Sequence, residues 1–178
     1  MKTICVYCGA AAGNKPEFLQ AAREVGRLLA ERGLKLVYGG GHVGLMGVVA
    51  DAALNAGGYV EGVIPHSMKE KELAHMGVQQ LHVVESMHDR KKLMAELSDA
   101  FVALPGGIGT LDELFEIWTW RQIKLHDKPI GVLNVAGYWD KLLELADNMD
   151  AHDFLHRNAR SMIVSHTDPA RLLELLGA

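Results

Sequence analysis

The sequence has no apolar run of membrane-spanning length, no excess of positive charge and very little cysteine. The first absence argues against a transmembrane protein, and the N-terminal apolar stretch is too short and too strand-like for a signal peptide. The net charge is −4, with 18 basic and 22 acidic residues, so a broad nucleic-acid-binding surface is not supported. We therefore expect a cytoplasmic protein that binds neither membranes nor nucleic acids.

The two cysteines of the 178-residue chain, Cys5 and Cys8, form a C-x-x-C pattern. No second Cys/His pair lies at zinc-finger spacing, and no helix is predicted to begin between the cysteines as in a thioredoxin-type motif. The nine histidines are scattered without the paired spacing of metal ligands. The sequence therefore predicts no metal site, and two reduced, mostly buried thiols in a first strand.

Short apolar runs alternate with helical segments along the chain. Strands are predicted at 3–8, 35–38, 59–64, 81–85, 100–104, 129–135 and 163–165, and helices at 16–32, 45–56, 87–97, 111–125, 138–149 and 169–176. The segment 66–80 is expected to be irregular, with a short helix at most. This alternation predicts an α/β fold: a single doubly wound, Rossmann-like domain over 1–178, with a mostly parallel sheet covered by helices on both faces.

Three of the predicted strands end in glycine-rich loops, at 8–13, 39–47 and 105–110. Ligands of such folds bind at the carboxyl ends of the strands, so the three loops should converge on one edge of the sheet. Glycine lets the backbone approach a ligand closely, and each loop leads into a helix N-terminus that favours a phosphate. One such loop would be ordinary turn chemistry, but three together predict binding of a nucleotide or a sugar phosphate.

Two common nucleotide-binding motifs are missing. The spacing Gly39-x-Gly41-x-x-Gly44 matches the dinucleotide fingerprint, but it follows the second predicted strand instead of the first. The third predicted strand is followed by Pro65-His66 and not by a ribose-binding acid. No G-K-[ST] occurs anywhere, so the lysine of a P-loop is absent. Hydride transfer to a dinucleotide and P-loop phosphoryl transfer are both disfavoured.

The helix after the third glycine loop begins with Thr110 and Glu113, which form the pattern T-x-x-E. This pattern predicts a capping box, in which Thr110 caps the helix and Glu113 reaches back to the Thr110 backbone N–H. Alternatively, Glu113 is a carboxylate that faces a pocket. Glu113, Glu116 and Trp120 share one helix face, and the aromatic ring suits a pocket wall or a subunit interface.

The helix after the fourth predicted strand opens with the basic run 90–92, and Ser86 and Asp89 have the spacing of a weak capping box. A basic surface turn is the ordinary explanation of such a run. Positive charge in a first helical turn nevertheless opposes the helix dipole. Arg90 is therefore easier to explain if an anion, such as a phosphate or a carboxylate, binds at this strand edge.

These motifs together resemble the Lonely guy family, the cytokinin riboside 5′-monophosphate phosphoribohydrolases. The family signature P-G-G-x-G-T-x-x-E is present at 105–113, and its upstream partner M-H-x-R-K is present at 87–91. The likeness covers roughly residues 4–155 and includes the segments 5–9, 37–47 and 62–65, the pair Thr119-Trp120, the segment 126–129, and Asn134 with Gly137-Tyr138. The combined motifs are far more specific than any single glycine loop.

The resemblance implies hydrolysis of the N-glycosidic bond of a nucleoside 5′-monophosphate, including N6-modified adenosine monophosphates, to a free base and ribose 5-phosphate. It implies Arg90 and Glu113 as the catalytic pair, a homodimer or a larger assembly, and no cofactor. The residues that it places around the substrate are Gly9, Gly40, Gly41, Met87, Lys91, Pro105, Gly106, Gly107, Gly109, Thr110 and Glu116. Ala10-Ala11 stand where many members have two serines, so any hydroxyl contact there is lost.

The implied chemistry builds positive charge at the anomeric carbon of ribose as the base leaves. A carboxylate such as Glu113 can stabilise that charge or orient the attacking water, while Arg90 can hold the phosphate or the hydroxyls. The sequence identifies no general acid and no preferred base. A rival interpretation is a non-catalytic carrier of a nucleotide or of molybdenum cofactor, since such carriers resemble this family.

Overall fold

A computed structural model describes residues 2–69, 74–156 and 158–178. Its strands are β1 (Thr3–Tyr7), β2 (Lys35–Tyr38), β3 (Tyr59–Pro65), β4 (Gln80–Val84), β5 (Ala100–Ala103), β6 (Ile130–Leu133) and β7 (Ile163–His166). They form one seven-stranded sheet in the order β4-β3-β2-β1-β5-β6-β7, and every strand pair is parallel. The predicted doubly wound parallel sheet is confirmed.

The helices cover both faces of this sheet. They are α1 (Pro16–Glu31), α2 (Gly44–Asn55), α3 (His66–Lys69), α4 (Met87–Leu97), α5 (Ile108–Gln122), α6 (Asp140–Ala151) and α7 (Pro169–Leu175), with single 3-10 turns at Val135–Gly137 and Arg160–Met162. In β1, Ile4 and Val6 pack with α1, α2 and α7, whereas Cys5 and Tyr7 pack with α4, α5 and α6. The central strands β1, β5 and β6 are buried along their whole length and do not alternate with polar residues, whereas the edge strands β4 and β7 carry polar, partly exposed side chains.

The order of the strands reverses at β1, which pairs with β2 on one side and with β5 on the other. At the carboxyl ends, Tyr7 lies in register with Ala103, so the loops that follow β1 and β5 leave the sheet side by side. A crevice opens at such a switch point because the two connections turn to opposite faces of the sheet. This topology places two of the three glycine loops next to each other.

The predicted capping box at Thr110 is wrong. Helix α5 begins at Ile108 and not at residue 111, and its N-cap is Gly107, which has an extended backbone and no side-chain cap hydrogen bond. Thr110 lies inside the first turn, 3 % exposed, and its side chain packs against Gly106. By contrast, the Ser86 cap is confirmed, since its Oγ accepts a hydrogen bond from the Asp89 backbone N–H at 3.1 Å.

Both cysteines are buried and neither forms a disulfide, as predicted. Within the segment 66–80, a short helix forms at His66–Lys69, and residues 70–73 of that prediction lie outside the described part of the chain. Ala74 then forms an isolated antiparallel bridge with Gly41 of the second glycine loop. In the described part of the chain, no helix has the length and the hydropathy that crossing a membrane would require.

Candidate active site

A cavity of about 430 Å³ lies at the carboxyl ends of β1 and β5. Its wall combines backbone from the glycine loops, an apolar side and two charged side chains. The lining residues are Val6, Cys8, Gly9, Ala10, Ala11, Ala12, Gly13, Phe18, Gly39, Leu45, Met46, Arg90, Pro105, Gly106, Gly107, Gly109, Thr110, Glu113 and Tyr138. The cavity therefore brings together the two ends of the sequence pattern, M-H-x-R-K and P-G-G-x-G-T-x-x-E.

Gly9 of the first glycine loop forms backbone hydrogen bonds with both of the other glycine loops, at 39–47 and 105–110. Its N–H donates to the Pro105 carbonyl at 3.1 Å, and its own carbonyl accepts from the N–H groups of Leu45 and Met46 at 3.0 and 3.4 Å. Two N–H groups at the start of α2 are thus occupied by a protein carbonyl. The expectation that every glycine loop offers its helix N-terminus to a phosphate is therefore too broad, because α2 uses these donors internally.

The start of α5 borders the cavity through Gly107, Gly109 and Thr110. Gly106 is required by packing, since a Cβ there would lie 2.1 Å from Thr110 Oγ1. A Cβ at Gly107 or Gly109 would meet no atom within 4 Å, so these two residues border open space. The first N–H groups of a helix have no acceptor inside it, and the helix dipole adds positive potential there. This glycine turn has the properties of an anion-binding site.

Arg90 enters the cavity wall from the first turn of α4 and is only 5 % exposed. Its Nε donates to the Val63 carbonyl at 3.0 Å, and its Nη2 donates to the Gly39 carbonyl at 2.7 Å. A Cβ at Gly39 would lie 2.2 Å from Nη2, so a side chain at that position would displace the guanidinium. Carbonyl oxygens of two strand ends thus stabilise a cation that the α4 dipole alone would disfavour.

Glu113 is half-buried on α5 and lines the same cavity as Arg90. Both charges act on the Cys8 thiol in the cavity wall. Burial raises the pKa of Cys8 well above its usual value, the carboxylate of Glu113 raises it further, and the guanidinium of Arg90 lowers it. The opposite effects on one thiol place a carboxylate and a cation within electrostatic reach of the same small volume. In such a pair, the carboxylate can stabilise positive charge that develops on a substrate during a reaction, and the guanidinium can bind a permanent negative charge on the same substrate.

Lys91 and Glu116, which the sequence assigned to substrate binding, are paired with each other beside the cavity. Lys91 Nζ lies 3.1 Å from Glu116 Oε1 and 3.0 Å from Asp112 Oδ2. Burial alone would lower the pKa of Lys91, but the hydrogen bonds that its ammonium donates to the two carboxylates raise it overall. These contacts join α4 to α5 on either side of Glu113. Neither Lys91 nor Glu116 is among the residues that line the cavity, and their contact with substrate stays a prediction.

Three further residues that the resemblance places around the substrate are not among those that line the cavity. The Gly40 carbonyl accepts a hydrogen bond from the His75 backbone N–H at 2.9 Å, and Gly41 bridges to Ala74. The sulfur of Met87 lies 3.8 Å from Arg90 Nη1, so this side chain packs on the guanidinium. The described lining of the cavity includes none of the three glycine-loop and helix-start residues Gly40, Gly41 and Met87.

Sequence reasoning missed part of the apolar wall. Phe18 of α1 and Tyr138, which follows β6, line the cavity, although the helical pattern marked Phe18 only as a core residue. Tyr138 could have been found from the Gly137-Tyr138 pair of the family pattern. Trp120, for which a pocket wall was one interpretation, packs against the core on the α4–α6 face of the sheet. Within the described residues, no group of His, Cys, Asp and Glu side chains could hold a metal ion.

Comparison with known proteins agrees with the motifs that meet in this cavity. The model of the family described as "Possible lysine decarboxylase" matches residues 46–176. The chain is 47 % identical over 175 residues to the cytokinin riboside 5′-monophosphate phosphoribohydrolase LOG1 of Arabidopsis thaliana, covering 98 % of the chain and 82 % of that protein. The chain belongs to the Lonely guy family. The resemblance read from the sequence is therefore confirmed.

A second relative supports the same membership. The cytokinin riboside 5′-monophosphate phosphoribohydrolase LOG of rice, Oryza sativa subsp. japonica, is 48 % identical over 164 residues, which cover 92 % of the chain and 68 % of that protein. Since that comparison covers 164 of the 178 residues, it includes the region 87–113 that carries both charged motifs.

Solved structures add information on the fold. The Moco carrier protein of Chlamydomonas reinhardtii superimposes with a TM-score of 0.76 over 99 % of the chain and 95 % of that protein, at 23 % identity. The molybdenum cofactor binding protein of Rippkaea orientalis gives a TM-score of 0.75 over 99 % and 96 %, also at 23 % identity. At this level of identity the likeness establishes the Rossmann-like architecture, and function has to be argued from the site.

Proposed function

We propose that the protein hydrolyses the N-glycosidic bond of a nucleoside 5′-monophosphate, releasing the free base and ribose 5-phosphate. The observation that carries the proposal is the presence of Glu113, Arg90 and the glycine turn of α5 in one cavity. The relatives named above as phosphoribohydrolases support this reaction class. The cavity volume of about 430 Å³ also falls within the range of small-molecule sites.

In this reaction, water adds its oxygen to the anomeric carbon while the bond from that carbon to the base nitrogen breaks. The electron pair of the broken bond leaves with the base, and one proton of the water replaces the ribose on it. Positive charge grows on the ribose ring in the transition state. The Glu113 carboxylate stabilises this charge or orients the water, as carboxylates do in glycoside hydrolysis.

Different lining residues contact different parts of the substrate. The 5′-phosphate is held by the first N–H groups of α5 at Gly107 and Gly109, and Arg90 supplies positive charge from the opposite helix start. The apolar side, formed by Phe18, Tyr138 and the alanines of the first loop, is left for the base. An apolar wall suits a purine with an N6 substituent. The relative from Arabidopsis thaliana is named for cytokinin riboside 5′-monophosphate.

A panel of nucleoside 5′-monophosphates tests the proposal. Purified protein is incubated with AMP, GMP, CMP, UMP and N6-isopentenyl-AMP, and free base and ribose 5-phosphate are quantified by chromatography. We expect release from AMP or its N6-substituted form, in equimolar amounts of the two products. Failure to release base from any member of the panel would refute the enzymatic function.

The rival function is a non-catalytic carrier of a nucleotide or of molybdenum cofactor. Carrier structures resemble this chain in fold at 23 % identity, whereas the phosphoribohydrolases are 47–48 % identical. The same panel separates the two functions, since a carrier would bind nucleotide without releasing base. Calorimetric titration with AMP reports binding, and chromatography of the same sample reports turnover.

We also propose that the protein forms a homodimer, lies in the cytoplasm and needs no cofactor. The homodimer is inferred from family membership, and light scattering after size-exclusion chromatography measures it directly. A mass near twice 19.4 kDa would support the dimer, and a mass near 19.4 kDa would contradict it. Turnover that survives dialysis against EDTA would support hydrolysis without a metal.

A further inference from the structure

The loop after β6 holds Tyr138 in a fixed position beside the cavity. Asn134 Oδ1 accepts from the Trp139 backbone N–H at 2.7 Å, and Asn134 Nδ2 donates to Asp140 Oδ1 at 2.7 Å. The Tyr138 N–H donates to the Val135 carbonyl at 3.0 Å. The loop is also closed by two left-handed residues, including Ala136 at φ 50°. This arrangement restrains the backbone from which the Tyr138 ring extends.

The Tyr138 side chain contacts one glycine loop directly and reaches a second one through Phe18 of α1. Its Oη donates to the Gly106 carbonyl at 2.5 Å. Its ring packs edge-on against Phe18, with centroids 5.5 Å apart and an interplanar angle of 79°. Phe18 in turn packs on Gly13 at the end of the first loop, where a Cβ would lie 2.7 Å from the Phe18 ring. Tyr138 thus links the loop after β1 to the loop after β5.

The hydrogen bond to Gly106 has a geometric consequence for the next residue. A peptide unit is planar, so the Gly106 carbonyl and the Gly107 N–H belong to one rigid group and point in opposite directions. Fixing the carbonyl therefore fixes the N–H of Gly107, the N-cap of α5. Two successive glycines leave this peptide free to rotate unless a neighbour holds it. The phenol hydroxyl is such a neighbour, and it comes from a distant part of the chain.

We propose that Tyr138 is a positioning residue that orients the Gly106–Gly107 peptide for binding the phosphate of the substrate. The inference rests on the proposed function, because it gives the glycine turn the task of holding a 5′-phosphate. The hydroxyl acts through the backbone and takes no part in the cleavage of the bond to the base. Its loss should weaken phosphate binding in the ground state and the transition state alike, which raises KM and leaves kcat nearly unchanged.

The test compares Tyr138→Phe with Tyr59→Phe. The two tyrosines are similarly exposed, at 41 % and 38 %, but Tyr59 lies at the start of β3, with the Lys35 ammonium 4.7 Å from its ring centroid. For Tyr138→Phe we expect KM for AMP to rise roughly 5–10-fold, the size of effect that loss of one hydrogen bond produces. We expect kcat to change less than about 2-fold by the same uniform-binding argument. Tyr59→Phe should match the wild type in both constants.

Two measurements keep the inference independent of turnover. Hydrogen exchange of the segment 105–111 should be faster in Tyr138→Phe, and binding of ribose 5-phosphate should weaken by the same factor as KM rises. If the wild type releases no base from AMP, the proposed function fails while the exchange measurement still tests the role of Tyr138. Unchanged exchange together with unchanged ribose 5-phosphate binding would overturn the inference.

Discussion

Gly109→Ala should stabilise the fold and impair the reaction, two effects of opposite sign from one methyl group. Gly109 is the second residue of α5 and has no positive φ, so alanine fits its backbone. The new Cβ would meet no protein atom within 4 Å. Alanine in a helix is more favourable than glycine by up to about 1 kcal/mol, through helix propensity and a less flexible unfolded chain. For a chain of this length the melting temperature should rise by about 2–4 °C.

The same methyl group would project into the space where the phosphate is expected to bind. Displacement of a bound group by about 1 Å can lower turnover roughly 100-fold, so we expect kcat/KM for AMP to fall roughly 10–100-fold. Differential scanning fluorimetry measures the first effect, and chromatographic detection of free base measures the second. A variant that is both stabilised and fully active would show that the phosphate does not approach Gly109.

Gly106→Ala provides the contrast. Its Cβ would lie 2.1 Å from Thr110 Oγ1 and 2.9 Å from the Gly9 backbone nitrogen, and the latter cannot move aside cheaply. Overpacking of this kind typically costs about 1–3 kcal/mol, so the melting temperature should fall. Opposite thermal shifts for the two alanine variants would separate the packing role of Gly106 from the ligand-facing role of Gly109.

The remaining predictions concern the charged residues. Glu113→Gln removes the charge but keeps the size and the hydrogen-bonding capacity of the side chain, so kcat should fall by roughly 1,000-fold or more while the melting temperature stays almost unchanged. Near-normal turnover would remove Glu113 from the mechanism. Arg90→Lys should lower both stability and turnover, because an ammonium cannot reach the Val63 and Gly39 carbonyls together; a variant with wild-type melting temperature would contradict this. Lys91 has a pKa raised above 10.5, so its contribution to stability is complete below pH 10.5 and is lost as the pH rises through the folded-state value. On raising the pH from neutral, the difference in unfolding free energy between wild type and Lys91→Met should therefore shrink only in strongly alkaline solution, and a difference that shrinks near neutral pH would refute the assignment.

Much of the site could be predicted from local sequence patterns, because the carboxyl ends of parallel strands lie at one edge of the sheet. The family resemblance carried by the motifs at 87–91 and 105–113 implied that Arg90 and Glu113 form a pair, and both line the cavity. The pattern failed at the start of α5. The letters T-x-x-E favour a cap at Thr110, but contact between Thr110 and Gly106 leaves Gly107 as the N-cap. Local capping preferences amount to about 1 kcal/mol and yield to packing of this kind.

The sequence by itself determined the alternation of strands and helices, the single parallel sheet and the glycine turns at its edge, since each depends on residues close together in the chain. Only the tertiary structure decided which donors remain for a ligand. The start of α2 is occupied by the Gly9 carbonyl, Arg90 is held by carbonyls of two strand ends, and Tyr138 holds Gly106. These contacts join residues far apart in the chain, so periodicity and spacing carry no information about them.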